Sequence, residues 1–198
     1  METFFISIML LTSVIGLAFI VERGVALRAN RVIPPGLESA AEACRTDADR
    51  PVLRRLCEQS ASPLSRLLQV AEQHLDQPRE ENEGALQTRA RQEVVHLERG
   101  LVVLEIVVGI APLLGLVGTI YGMMTLFGGL GESGLGDNTV LAKGISLILR
   151  FTMAGLLIAI PSLIAWSYYS KKVEMLAVEM ETVCAEFLRR QYQAQAKK

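Results

Sequence analysis

Three long apolar blocks constrain this chain more than anything else in it. Residues Thr3 to Val21, "TFFISIMLLTSVIGLAFIV", carry no charged side chain, and as a helix they reach about 28 Å, one hydrocarbon thickness. The blocks Leu101 to Phe127 and Gly144 to Ser170 would each reach about 40 Å, so they are expected to tilt or to project into the cytoplasm. Segments this long and this apolar span a bilayer as helices, which satisfy their backbone groups internally. The expected fold class is an all-α integral membrane protein with three transmembrane helices, two of them long and extending into a cytoplasmic helical bundle. Composition agrees: 51% of the 198 residues are hydrophobic and only 21% charged, with one very polar block between apolar ones.

Basic residues set the expected orientation. Arg23, Arg28 and Arg31 follow the first block, Arg89, Arg91 and Arg99 precede the second, and Lys171 and Lys172 follow the third. The stretch "GGLGESGLGDNTVLA" between the second and third has no Lys or Arg. By the positive-inside bias the N-terminus and that stretch lie outside and the C-terminus faces the cytoplasm. The expected order is a first transmembrane helix at 1–23, a cytoplasmic helical insertion at 24–100, a second helix at 101–127, a periplasmic glycine-rich loop at 128–143, a third helix at 144–170 and a cytoplasmic helical tail at 171–198. The first block reads as an uncleaved anchor, because Glu2 stands where a signal peptide has basic residues and Glu22-Arg23 follow in place of a small-residue cleavage site.

Within the insertion, "GLESAAEACR", "PVLRRLCEQ" and "SPLSRLLQVAEQHL" read as short amphipathic helices, the last capped by Ser62 with Pro63 in its first turn. "REENEGALQTRARQEVVHLERG" reads as a long helix running into the second span. In the tail, Val173, Leu176, Met180, Val183, Cys184 and Phe187 recur at helical spacing, which predicts an apolar stripe that needs a partner surface.

Covalent chemistry finds no support. Cys44, Cys57 and Cys184 lack metal-ligand spacing and read as structural thiols. His74 and His96 lie outside the spans. "GGLGESGLGDN" is not followed by Gly-Lys-Ser/Thr, so phosphate binding is not expected. The sequence thus points away from an enzyme and suggests no metal, cofactor or nucleic-acid partner.

"GIAPLLGLVGTIYGMMTLF", residues 109–127, spends four glycines, a proline and two threonines inside an apolar span. On a helix Glu105, Val108, Pro112, Gly115, Thr119, Gly122 and Leu126 fall within roughly 60° of Thr119. In the third span Thr152 shares a face with Ile145, Ile148, Leu156, Ala159, Leu163 and Trp166. Tight helix packing accounts for the glycines alone. Two threonines at one depth in antiparallel neighbours would, repeated around an oligomer, also form a ring of hydroxyls able to hold water or meet a partner's carboxylate, though threonines commonly bond their own helix carbonyls.

"IAPLLGLVGTIYGMMTLF" and "GISLILRFTMAGLLIAIPSLIAWSYYSKKVE" together resemble the paired signature of the MotA/TolQ/ExbB proton channel family, closest to its ExbB and TolQ branches. The resemblance implies a subunit of a motor driven by the proton-motive force in the bacterial inner membrane. It implies a pentamer whose pore encloses a dimer of a single-span ExbD/TolR-like partner carrying a protonatable aspartate, with a TonB-like protein as a further possible associate. It also implies that Thr119 and Thr152 line the pore, and that Ala111, Pro112, Gly115, Gly118, Gly122, Gly155, Ala159 and Pro161 form its small-residue framework.

The spans contain no aspartate or histidine and only two residues charged at neutral pH, Glu105 and Arg150, so a complete proton relay is hard to build from this chain alone. Glu105 shares the Thr119 face about 21 Å away and is a candidate for the cytoplasmic mouth. Leu147 stands where the ExbB-like branch usually has a glutamate. Arg150 lies about 160° from Thr152 and is expected to meet a neighbouring subunit, lipid headgroups or a partner residue, or to snorkel. Two other readings stay open: a passive ion channel without a moving partner, and a membrane scaffold that stabilises a partner protein. The downstream process and the choice of proton over sodium are not encoded in these residues.

Overall fold

The computed structural model describes residues 2–45, 49–133 and 138–195, and all the regular structure in them is helical. In chain order the helices are α1 (Glu2–Ala26), α2 (Ala29–Val32), α3 (Pro35–Ala43), α4 (Arg50–Gln59), α5 (Pro63–Gln73), α6 (Arg79–Glu98), α7 (Leu101–Ser133) and α8 (Asn138–Gln195). Three are long and apolar enough to cross a membrane, over Thr3–Ala26, Leu101–Gly129 and within Leu141–Gln195. The chain divides into two compact units, one of residues 1–23 and 100–168, the other of 24–99 and 169–198.

In the first unit α1, α7 and the first half of α8 pack together. Only 11% of the most apolar window of α1 is buried within the chain, so most of its side chains require a nonaqueous neighbour outside it. α7 continues through Pro112 and α8 through Pro161. The loop expected over 128–143 is shorter than anticipated, because α7 runs on to Ser133 and α8 starts at Asn138. Glycine weakens a helix by about 1 kcal/mol relative to alanine but does not by itself end one. The middle of that loop, 134–137, lies outside the described residues.

In the second unit α2 to α6 and the second half of α8 enclose an apolar core that includes Leu37, Leu53, Leu64, Leu67, Leu68, Met180, Phe187 and Leu188. Ser62 caps α5, its hydroxyl accepting from the Ser65 amide at 3.2 Å, and Pro63 occupies the first turn, where its missing N–H costs nothing. Val173, Leu176, Met180, Val183, Cys184 and Phe187 are all buried. One charge sits in this unit out of reach of water: the Glu93 carboxylate, which accepts from Arg66 Nε at 2.8 Å and Nη2 at 2.6 Å and pairs with Arg89 at 2.9 Å. Asn82 donates to the Ala71 carbonyl at 2.9 Å, and Gln191 donates to the Cys44 carbonyl at 3.0 Å. The helix expected to run unbroken into the second span is interrupted by a turn at Arg99–Gly100. A Cβ at Gly100 would overlap the Arg23 guanidinium, so the turn residue is one whose backbone alone fits.

Candidate pore-lining site

The α7–α8 seam is built from the small residues. A Cβ on Gly155 would lie 2.7 Å from the Ala111 carbonyl oxygen, and one on Gly115 would lie 3.0 Å from the Phe151 carbonyl oxygen. Gly118 faces the Phe151 ring, Gly122 faces Ile148 and Gly144 faces Leu126. These pairings run in opposite directions along the two helices, so α7 and α8 are antiparallel. Ala111, Gly115, Gly118, Gly122, Gly155 and Ala159 are accordingly buried. Their absent or short side chains let two backbones approach closely, as lipid-embedded helices do where apolar burial gives no advantage over lipid.

This register places the two threonines level. Gly115 lies against Thr152 and Gly155, while Gly118 lies against Phe151, which puts Thr119 opposite residues 150–151, within about one residue rise of Thr152. Both side chains leave the seam by about 60°, in the direction of increasing helical angle on each helix. Because the helices are antiparallel, those two rotations point to the same flank. Thr152 is exposed and Thr119 half-buried. Along that flank lie Pro112 and exposed Glu105 from α7, with Ile145, Leu156 and Leu163 from α8.

The opposite flank is covered by α1. Phe5 meets Tyr121 and Phe151 with ring centroids 5.5 and 6.3 Å apart. A Cβ on Gly16 would touch both Ser162 of α8 and Val107 of α7. Of the two flanks of the seam, α1 therefore occupies one, and the threonine flank is open within the chain.

The hydroxyl geometry differs between the two threonines. Thr119 Oγ1 donates to the Leu116 carbonyl at 2.6 Å, whereas Thr152 Oγ1 donates to the Ile148 carbonyl at 3.4 Å. Each hydroxyl spends its proton on its own helix and keeps lone pairs to accept with. A protonated carboxylic acid, a water or a hydronium ion can donate to such a group directly. A carboxylate would first require the hydroxyl to turn away from its carbonyl, which the long Thr152 bond concedes at smaller cost.

The other residues singled out in the sequence fall elsewhere. Pro161 is exposed and away from the seam. Leu147 and Arg150 line a groove between α1 and α8, on the side away from Thr152. Glu105 is exposed and has no ion pair or hydrogen bond among the described residues. Periodicity does not single out Phe151 and Ser162 of α8, which are 4% and 2% exposed: Phe151 meets Phe5 of α1 and Gly118 of α7, and Ser162 meets Gly16 of α1. The signal that points to them is Gly16 in α1, a small residue in an otherwise bulky span. No cluster of His, Cys, Asp or Glu among the described residues can hold a metal ion.

Residues 59–182, more than half of the chain, match the MotA/TolQ/ExbB proton channel family. The chain belongs to that family. It is similar to a biopolymer transport protein ExbB of Helicobacter pylori, 38% identical over 81 residues that cover 41% of this chain and 56% of the relative. An ExbB of Aquifex aeolicus is 32% identical over 90 residues, 46% of this chain and 61% of the relative. A Tol-Pal system protein TolQ of Pseudomonas aeruginosa is 35% identical over 103 residues, 52% and 45% of the two chains. The chain thus spans about half the length of the curated relatives it matches. Family membership and three apolar spans make it a membrane protein.

Proposed function

We propose that this chain is an inner-membrane stator subunit of a motor driven by the proton-motive force. Copies of it, in the number five that the family resemblance implies, surround a pore lined by the Thr119–Thr152 flank. In that pore stand the single transmembrane helices of an ExbD/TolR-like dimer, whose carboxylate the threonines receive. The N-terminus is periplasmic, the second compact unit cytoplasmic, and Glu105 marks the cytoplasmic mouth. Proton passage moves the partner relative to the ring and so delivers work to the periplasm.

The observation that carries this reading is the pair of level threonines on the flank that α1 leaves uncovered. Their hydroxyls are acceptors aligned at one depth, and no aspartate or histidine stands anywhere in the three spans. An acceptor ring without its own titratable group can pass a proton only when something else brings the acid.

The test is pH-gradient-driven proton flux in liposomes holding this chain with and without its co-purifying single-span partner, for wild type and Thr152→Val. Flux that needs the partner and falls about tenfold or more in the variant is the expected result, since a hydrogen bond to a charged group contributes about 1.5–3 kcal/mol. Flux from this chain alone would replace the motor with a passive channel. A verified complex that conducts nothing in any form would leave a scaffold.

A further inference from the structure

The groove between α1 and α8 has a volume of about 410 Å³ and lies away from the threonine flank. Ile6, Leu10, Leu147, Ala154 and Leu157 make its walls apolar, and Arg150 supplies a guanidinium. Among the residues whose side chains are described, Arg150 has no hydrogen-bond or ion-pair partner, and it is exposed.

Position along the helices makes this cation informative. The Phe5–Phe151 ring contact puts Arg150 level with residues 4–5 of α1, one or two residues, about 1.5–3 Å, inside the edge of that helix's uncharged stretch. From Leu147 to Ile158 the groove runs about 16 Å along α8. That is half of a hydrocarbon core roughly 30 Å thick, the depth of one leaflet. Arg150 stands near the end of the groove that lies by the membrane edge, and the walls beyond it are apolar. Lys143, exposed, lies seven residues before Arg150, two turns up the same stripe of α8 and beyond the groove. Ala154, one turn below Arg150, keeps the slot open where a larger side chain would fill it.

We infer that this groove is a site for an anionic phospholipid, its phosphate held by Arg150 with Lys143 above and one acyl chain lying down the α1–α8 cleft. A guanidinium presents a planar fork that matches phosphate oxygens, and a charge at that depth is stabilised by an anion it can reach. A zwitterionic lipid offers the same chain and phosphate but adds a cation of its own, so selectivity for net negative headgroups follows from the two basic residues. The site is separate from the proposed proton path and does not depend on conduction.

The experiment reconstitutes the full chain in vesicles of equimolar phosphatidylglycerol and phosphatidylcholine with matched acyl chains. Mild extraction and native mass spectrometry then count the lipids that stay bound. Wild type is expected to retain phosphatidylglycerol over phosphatidylcholine by about fivefold, the order that one basic side chain gives at an anionic headgroup. Arg150→Gln should return the ratio to that of the vesicle, Arg150→Lys should keep part of it, and Ala154→Phe should lower retention of both lipids. An unaltered ratio in Arg150→Gln, with helicity and melting intact, overturns the proposal. So does an Ala154→Phe variant that keeps its lipid but changes its subunit count, which would give the groove to a neighbouring copy. If Arg150→Gln does not fold, the Arg150→Lys ratio and the total lipid retained by Ala154→Phe decide the matter by themselves.

Discussion

Thr119 and Thr152 stand at one level but have different amounts to give up. The Thr119 hydroxyl is held by the Leu116 carbonyl at 2.6 Å, the Thr152 hydroxyl by the Ile148 carbonyl at 3.4 Å. A hydrogen bond near the mode of O–H···O distances is retained, and one at the far limit is readily exchanged. Thr152 is therefore expected to be the residue that reorients toward an incoming carboxylate, with Thr119 as a fixed acceptor. Thr152→Val should reduce partner-dependent proton flux about tenfold or more, Thr119→Val about threefold, and Thr152→Ser should restore most of the loss, because serine keeps the oxygen. Flux measured in the same vesicles checks the order, and equal losses at both positions would remove the distinction. Sequence periodicity picked out both threonines but placed Thr119 among the small residues of one stripe. The structure puts Thr119 about 60° off that stripe, since the glycines face α8 and the hydroxyl does not. Spacing alone cannot assign a helix face to a neighbour, because it does not say which neighbour packs on which side.

At the scale of the helices, the seam glycines are not equivalent. A Cβ on Gly155 would meet the Ala111 carbonyl oxygen at 2.7 Å, and that atom belongs to a helix backbone with no rotamer to change. On Gly122 the obstacle is Ile148 Cγ1 at 2.8 Å, part of a side chain. Nothing lies within 4 Å of a Cβ on Gly109. Gly155→Ala should thus force α7 and α8 apart and destabilise the first unit by about 1–3 kcal/mol, the usual cost of overpacking. Gly109→Ala should stabilise it by about 0.5–1 kcal/mol, because alanine removes a helical glycine where space is open. Unfolding monitored by Trp166 fluorescence in mixed micelles measures both, and a Gly155→Ala protein as stable as wild type would mean the seam is looser than drawn. The helices themselves were legible in the residues: three spans from their apolar length, α5 from Ser62-Pro63, the tail from its apolar stripe. What escaped was the extent of α7, whose glycine-rich end remains helical, the early start of α8, and the turn at Gly100, whose bare backbone lies against the Arg23 side chain far away in sequence.

The whole chain carries its own reporters for two kinds of cohesion. Its single tryptophan, Trp166, belongs to the first unit, whose outward apolar surface is stabilised by lipid. All three cysteines belong to the second, whose core is shielded from water. Cys44, Cys57 and Cys184 are 1%, 2% and 0% exposed. Burial, aided by Glu72 and Glu58, pushes the Cys57 thiol up to about 11, and burial pushes Cys184 up to about 12. The thiol form is thereby favoured in the folded state. The stability this contributes is complete below the ordinary thiol value of 9.0 and declines as pH rises through the folded values. At pH 7.5 maleimide should leave all three untouched until the second unit opens, since neither access nor thiolate is available. Urea acts on water-shielded apolar cores more than on helices solvated by lipid, so in vesicles cysteine labelling should rise at urea concentrations that leave Trp166 emission unchanged. Glu93 sharpens the test. It is fully buried and neutralised by Arg66 and Arg89, whose side chains are 36% and 34% exposed. In Glu93→Ala both guanidiniums lose their partner but can partly rehydrate, which brings the cost of a broken buried pair down to about 2–3 kcal/mol. With a urea slope of about 1–3 kcal/mol per molar, the labelling midpoint should fall by about 0.7–3 M while the tryptophan transition stays in place. A tryptophan transition that moves with it would mean that the two units unfold as one, and the chain would then have a single cooperative fold spanning membrane and water.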